Sequence, residues 1–407
     1  MKIVFIATRP YHPVIDGRTY TLDTYVKALC EEHEVHYICF SDTEEVNNVY
    51  SCKSITILKN SSTKEKLKNI FFKCLFGGKP LQCAAVYSKS NQKLINEVVS
   101  KVDPDIVIFD MIRMAIYKKK LPKSKTRRYV LDMDDILSNR YNKESKESIL
   151  GTFASKVPNL VNKIFKNKAV NRMVTSSERR RMKRLEKKAP KKYGGVVLVS
   201  QKEVNALKEL TKRDNIWCWP VVAKSSKDAL SGANYDKQTI LFLGNLLIPQ
   251  NLATFDYIVS DIMPSLPGFT LKVIGKTNEE LKSKKYSCKV VFMNFVENLE
   301  EEARKCLALV APIQFGTGIK IKVVEMMGLG LPVITSPVGV EGLNLRKEDG
   351  FLVCQNQKDY VSNINVLCKE PSFRRNIIEK QIKYIDEFHN YSLLKSSINN
   401  LLEEVTK

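Results

Sequence analysis

The chain has 407 residues, enough for two or three domains with large cores, and its 43% hydrophobic and 27% charged content is that of a soluble globular protein. No apolar run approaches the roughly 18–20 residues of a membrane span, and MKIVFIATRP reads as a first buried strand, not a signal peptide. The net charge of +22 is uneven: residues 1–200 hold 39 Lys and Arg against 20 Asp and Glu, the remainder 27 against 24, so an anionic partner is expected for the first half.

In chain order, IVFIA (3–7) is the first predicted strand, followed by a helix over about 19–31 and a strand at VHYICF (35–40). A helix over 91–101 precedes strands at DIVIF (105–109), RRYVLDM (127–133) and GGVVLVS (194–200). These runs lack two-residue alternation, as strands covered on both faces do, and strand–helix alternation implies a parallel sheet. The polar stretch 224–238 reads as a linker. A second series follows: TILFLG (239–244), a helix near 252–262, LKVIG (271–275), VVFMNF (291–296), LALVAP (307–312) and FLVC (351–354), then a helical tail over 358–407. The expected class is α/β, with two parallel-sheet domains of similar size facing each other across a cleft. Ten cysteines are scattered without paired metal spacing and are expected to be reduced and structural.

The densest chemical signal is GTGIKIKVVEMMGLGLPVITSPVGVEGL (316–343). Gly316 and Gly318 allow a tight bend and close approach to a ligand. A helix expected from about Ile319 to Gly328 would present free N–H groups and a partial positive charge to an anion. Lys320 and Lys322 are misplaced there on dipole grounds, by about 1 kcal/mol at most, unless an anion such as a diphosphate completes the charge. Glu325 could accept hydrogen bonds from paired sugar hydroxyls. Phosphate end plus hydroxyl end describes a sugar nucleotide. A glycine-turned helix with solvated lysines is the plain alternative. The phosphate-loop pattern GxxxxGK[ST] and the dinucleotide pattern GxGxxG after the first strand are both absent.

These residues resemble a known family. APIQFGTGIKIKVVEMMGLGLPVITSPVGVEGL is similar to the donor-site region of nucleotide-sugar glycosyltransferases with the GT-B fold, notably family 4. FLGNLLIPQNLATFDYIVSDIMPSL and VVFMNFVENLEEEARKCLALVAP resemble earlier parts of the same domain. RPYHPVIDGRTYTLDTYVKALCEEHEVHYICF, VLDMDDILSNRY and LVSQKEVNAL resemble the acceptor domain, so the likeness spans nearly the whole chain. It implies two Rossmann-like domains: an acceptor domain over 1–223, a linker over 224–238, a nucleotide-sugar domain over 239–375, and helices over 376–407 that cross back to the first domain. Glu325 matches the second glutamate of the family's pair, which holds the ribose. Gly316, Thr317 and Gly318 match the loop near the transferred sugar and diphosphate. Gly244 and Asn245 match the turn after the domain's first strand, Val296 the segment near the base, and Gly17 one glycine of the N-terminal pair.

There are departures. Thr317 stands where the family's first glutamate usually stands, and Arg18 stands for the second N-terminal glycine. The diphosphate-binding Arg and Lys after Gly244 are missing from NLLIPQNL, which leaves Lys320 as the candidate replacement with Lys322 or Lys276 behind it. Asp110 and Arg113 occupy the segment where an acceptor-domain histidine is common. His12, Gly17, Arg18, Asp110, Arg113 and Asp132 are therefore the acceptor-side candidates. Asp132, Asp134 and Asp135 could suggest a metal, but no metal or other cofactor is expected, because helix dipole and cations can neutralise a leaving diphosphate.

Residues 113–192 hold 25 Lys and Arg against 7 Asp and Glu, and within them Ile149, Leu150, Phe153, Val157, Leu160, Val161, Ile164 and Phe165 make a basic amphipathic pattern suited to an anionic membrane surface. Nucleic acid is the disfavoured rival, since no RNA-binding sheet motif or zinc finger is present. The expected protein moves a sugar from a nucleotide diphosphate sugar to a glycan or lipid-linked acceptor, with retention, in surface polysaccharide biosynthesis. It would work in the cytoplasm, peripheral on the inner membrane face. A non-catalytic binding subunit and a sugar-nucleotide epimerase remain as alternatives.

Overall fold

A computed structural model describes residues 1–143, 168–226 and 234–407. The chain divides into two compact units, Met1–Pro220 with Leu394–Lys407, and Val221–Leu393. The amphipathic stretch expected to meet a membrane, from Ile149 to Phe165, lies outside the described residues, as do residues 227–233 of the expected linker. Among the described residues no helix is long and apolar enough to cross a membrane.

The first unit is built on β1 (Lys2–Ala7), β2 (Glu34–Phe40), β3 (Ser54–Leu58), β4 (Ile106–Asp110), β5 (Arg128–Asp132), β6 (Gly195–Leu198) and β7 (Ile216–Cys218). Their order is β3-β2-β1-β4-β5-β6-β7, and every pairing is parallel. In register, Phe5 lies opposite Tyr37 on one side and Ile108 on the other. β4 is buried along its whole length and β1 beyond its first residue, so their unbroken apolar sequence reflects cover on both faces. The helix Gly17–Cys30 starts on a capping box in which Asp16 and Thr19 satisfy each other's backbone N–H. Sequence patterning missed β3 and β7. Both are short strands at opposite edges of the sheet, where partial burial removes the long apolar run that marks an inner strand.

The second unit carries β8 (Asp236–Leu243), β9 (Thr270–Ile274), β10 (Lys289–Met293), β11 (Cys306–Ala311), β12 (Val333–Thr335) and β13 (Leu352–Val353), ordered β10-β9-β8-β11-β12-β13 and again wholly parallel. In both sheets the chain lays its first three strands in one direction and then crosses back beside its first strand. That crossing creates a switch point, between β1 and β4 in one unit and between β8 and β11 in the other. In open α/β sheets ligands bind beyond the carboxyl ends of the strands at such points.

The tail is helical, in three pieces: Gln357–Lys369, Pro371–Phe388 and Tyr391–Thr406. Pro371 starts the second because its ring cannot continue the first. The two segments where the chain passes between units are tied side by side. Ala223 N–H donates to the His389 carbonyl at 2.8 Å, and His389 Nδ1 lies 2.7 Å from the Val221 carbonyl oxygen. Burial pushes the His389 imidazole down to about 4, so it stays neutral at physiological pH. The final helix then belongs to the first unit. Ser397 Oγ donates to the Cys218 carbonyl at 2.6 Å, and Lys395 pairs with Glu31 and Glu32. Gly194 and Gly195 lie under this helix, where a Cβ would come within 2.8 Å of Val405 and 3.2 Å of Leu401. All ten cysteines are free thiols.

Candidate functional site

In the second unit, β8 runs into Gly244 and Asn245. Gly275, at the end of β9, has φ +138, and a Cβ there would meet the Gly244 carbonyl oxygen at 2.3 Å. Only glycine lets these two turns approach so closely. Asn251 closes the same corner, its Nδ2 donating to the Asn245 carbonyl at 3.0 Å.

On the other side of the switch point, β11 leads into the loop containing Gly316 (φ +126) and Gly318 (φ +71). The following helix is Ile321–Gly328, two residues shorter at its start than the sequence suggests. Lys320 is its N-cap in an extended conformation, and no side chain caps the helix start. Lys320 Nζ curls back onto the loop and donates to the carbonyls of Thr317 (3.1 Å) and Gly318 (2.7 Å). Lys322 reaches across the switch point, where Nζ donates to the Leu243 carbonyl at 2.9 Å and to Asn251 Oδ1 at 3.0 Å. Burial, and then the neighbouring charge of Lys320, push the Lys322 ammonium down to about 8.

Glu325 lies one turn beyond Lys322. Its carboxylate is half-buried and takes no hydrogen bond or ion pair among the described residues, and burial pushes it up to about 7. An unpaired, partly desolvated carboxylate gains from hydroxyl donors that water supplies only incompletely. Gly328 closes the helix against the backbone of Lys224, where a Cβ would come within 2.3 Å of the carbonyl oxygen.

The remaining donor-side candidates follow from the strand order. Val296 is beyond the end of β10, Lys276 beyond β9, Gly244 and Asn245 beyond β8, and Gly316, Thr317 and Gly318 beyond β11. All therefore stand along one edge of a single sheet. Lys276 is exposed and Val296 half-buried. Their neighbour Phe295 is 88% exposed, an aromatic ring in water that sequence patterning did not single out. Its only sequence signal is an apolar residue continuing past the end of β10.

The first unit's switch point is filled differently. Thr8, after β1, donates from N and Oγ1 to Asp110 Oδ2, at 2.7 and 2.5 Å. Arg18 is buried beneath the start of its helix, where Nε donates to Asp110 at 2.9 Å, Nη1 to Asp134 at 3.0 Å, and Nη2 to Asp132. Burial pushes Asp110 up, but Arg18 and Thr8 outweigh it and hold the carboxyl below its usual range. Asp132 receives less relief than burial and Asp110 cost it, and rises to about 6. Met111 (φ +61) and Asp134 (φ +66) take left-handed backbone just beyond β4 and β5, a conformation that costs a non-glycine residue free energy. Arg113 is half-buried nearby, and its buried Nε has no hydrogen-bond partner among the described residues.

Of the acceptor-side candidates, Arg18, Asp110 and Asp132 thus converge and satisfy one another. His12 does not join them and sits 3.4 Å from Asp23, while Gly17 is the exposed first residue of its helix. Asp135 binds Arg140, and Trp219 is fully buried, edge-on to Tyr25.

Residues 237–370 match the family model described as glycosyl transferases group 1. The second unit therefore carries a glycosyl transferases group 1 domain. The family match lies within the second unit and includes all the donor-side candidates. The fold likeness runs the whole length of the chain. Sucrose-phosphate synthase from Thermosynechococcus elongatus aligns with a TM-score of 0.68 at 12% identity, covering 100% of this chain and 99% of the other. HepE from Anabaena, in complex with UDP-glucose, aligns at 0.63 and 14%, covering 99% of each chain. The lipopolysaccharide outer core galactosyltransferase WaaB aligns at 0.58 and 14%, again covering 99% of each. At these identities the likeness shows the GT-B fold. No curated protein sequence matches the chain.

Within this domain, the sequence did not disclose what the two lysines hold. Lys322 depends on Leu243 and Asn251, more than seventy residues earlier in the chain.

Proposed function

We propose that this glycosyltransferase transfers a sugar, with retention, from a nucleotide diphosphate sugar held by the second unit to a glycan or lipid-linked acceptor engaged by the first, in surface polysaccharide synthesis. The observation that carries the reading is Glu325: half-buried, unpaired among the described residues, and one turn along a helix whose uncapped start follows a glycine loop at a switch point. The ribose hydroxyls donate to Glu325. The diphosphate lies on the glycine loop, against the helix N-terminus and Lys320. As the sugar–phosphate bond breaks, negative charge grows on the diphosphate, and these donors stabilise it in place of a metal. Because UDP and UDP-glucose occupy the HepE structures, a uridine diphosphate sugar is the first donor to test.

The charge of residues 113–192 supports work at an anionic membrane surface on the cytoplasmic side, and co-sedimentation with anionic vesicles at low and high salt tests that part. For the donor, calorimetry with UDP and GDP followed by transfer assays is decisive. Binding of one nucleotide at micromolar concentration is expected, and a Lys320→Ala variant should lose about two to three orders of magnitude in rate at saturating donor. Failure of either nucleotide to bind at millimolar concentration would remove the reading. Thr317, in place of the family's first glutamate, supports one alternative, a non-catalytic binding subunit. Tight nucleotide binding without transfer to any acceptor would favour it.

A further inference from the structure

A cavity of about 880 Å³ opens in the first unit and reaches from Ile112, just past β4, along β5. It flanks the amino ends of β5 and β6, where Lys125 and Tyr129 lead into one strand and Lys192 and Tyr193 into the other. Its size falls in the range of small-molecule sites, roughly 300–1,000 Å³. Its lining has two parts. Leu121, Leu131, Leu185, Ala189 and the rings of Tyr129 and Tyr193 give an apolar floor. Lys79, Lys118, Lys119, Lys123, Lys125 and Lys192 supply the cations.

Among the described residues no aspartate or glutamate lines the cavity, and none of the six lysines pairs with a carboxylate. Lys118 is half-buried. Its Nζ lies 4.2 Å from the Tyr193 ring centre and 4.6 Å from that of Tyr129, and it donates to the Lys192 carbonyl. Burial and then the nearby Lys192 lower its pKa, so an added negative charge would be favoured there.

Like charges around one cavity repel unless an anion joins them. A bare phosphate would use the lysines and leave the apolar floor in water. A neutral apolar ligand would cover the floor and leave the cations uncompensated. A phosphate-headed amphiphile uses both, with its alkyl chain on the floor and its head among the lysines, whose own methylene stems extend the apolar wall.

We propose that this cavity binds an anionic membrane phospholipid, with the phosphate on the lysine rim and an acyl chain across Leu121, Leu131 and Leu185. The site holds the first unit to the lipid surface through an individual lipid molecule, beyond the diffuse attraction of a basic face. The inference rests on the membrane reading above for the source of its ligand.

Calorimetry on the full chain tests it, using dihexanoylphosphatidylglycerol below its micelle concentration, dihexanoylphosphatidylcholine and inorganic phosphate. The anionic lipid should bind at least tenfold more tightly than either of the others. Lys123→Glu/Lys125→Glu, two exposed rim positions, should weaken the anionic lipid at least tenfold and leave UDP binding and the melting temperature unchanged. Ala115→Phe, which narrows the cavity from its half-buried wall, should weaken the lipid without weakening phosphate. Equal affinity for phosphate and the anionic lipid, or undiminished lipid binding in both variants, overturns the proposal. Vesicle co-sedimentation separates the two readings. Anionic vesicles bound without any affinity for the soluble lipid would overturn the cavity and keep the membrane reading, whereas affinity for the soluble lipid without vesicle binding would remove the membrane reading and, with it, the cavity's role in holding the first unit to a surface.

Discussion

At the β8–β11 switch of the second unit, Glu325 takes no hydrogen bond among the described residues, and the helix beside it starts without a side-chain cap. At the β1–β4 switch of the first unit, Arg18 engages Asp110, Asp132 and Asp134 together. The strand order around the switch is the same in both sheets, so strand order fixes where polar side chains gather. It does not decide whether they serve a ligand or one another. In the second unit glycine turns bring backbone close and leave a carboxylate unmatched. In the first, an arginine in the first turn of a helix turns inward and its charge is consumed within the fold. Under the proposed function a nucleotide would meet an unmatched carboxylate in one unit, whereas at the other unit's equivalent point Arg18 already engages the carboxylates.

The sharpest way to break this contrast is Arg18→Met. It leaves three buried or half-buried carboxylates without their cation and should cost about 3–5 kcal/mol in urea unfolding, with UDP affinity in the second unit unchanged. Unaltered stability would mean the cluster is not held by charge, and lost UDP binding would mean the two switch points are not independent. Glu325→Gln should do the opposite. UDP affinity should fall roughly 10- to 100-fold, the weight of hydrogen bonds to a charged acceptor, about 1.5–3 kcal/mol. Stability at pH 8 should hold or rise slightly, because a glutamate whose folded pKa is raised contributes its stability at low pH and loses it as pH rises through about 7. A clear drop in stability would show that Glu325 is a structural residue.

The smallest effect is the pH profile of UDP binding. The carboxylate must be ionised to accept ribose hydroxyls, so affinity should rise by up to roughly tenfold per unit as pH climbs through about 7. It should decline above about 8, where Lys322 loses its charge. The acid limb should vanish in Glu325→Gln and persist in Arg18→Met. An acid limb that survives in Glu325→Gln would assign it to another group.

The inner strands were legible because burial on both faces writes itself as unbroken apolar sequence, as in β1, β4 and β11. The edge strands β3 and β7 were not, since partial burial leaves no such run. In the site, Gly316, Gly318 and Glu325 could be read locally, because a bend and a helical spacing are local properties. The lysines could not. Lys322 is fixed by a strand end and an asparagine far back in sequence, and Arg18 reads only as a missing glycine until Asp110 and Asp132 arrive from two other strands.

The helix Tyr391–Thr406 has a consequence for the order in which the molecule is made. Ribosomes deliver roughly 5–20 residues per second, and domains tend to fold as they emerge. The first unit cannot finish in that order, because Leu394, Ile398, Leu401 and Val405 belong to its buried surface. Until this helix docks, the first unit keeps an open apolar face around Gly194 and Gly195. The earliest-made half of the enzyme is thus the last to close, and the final helix acts as its latch.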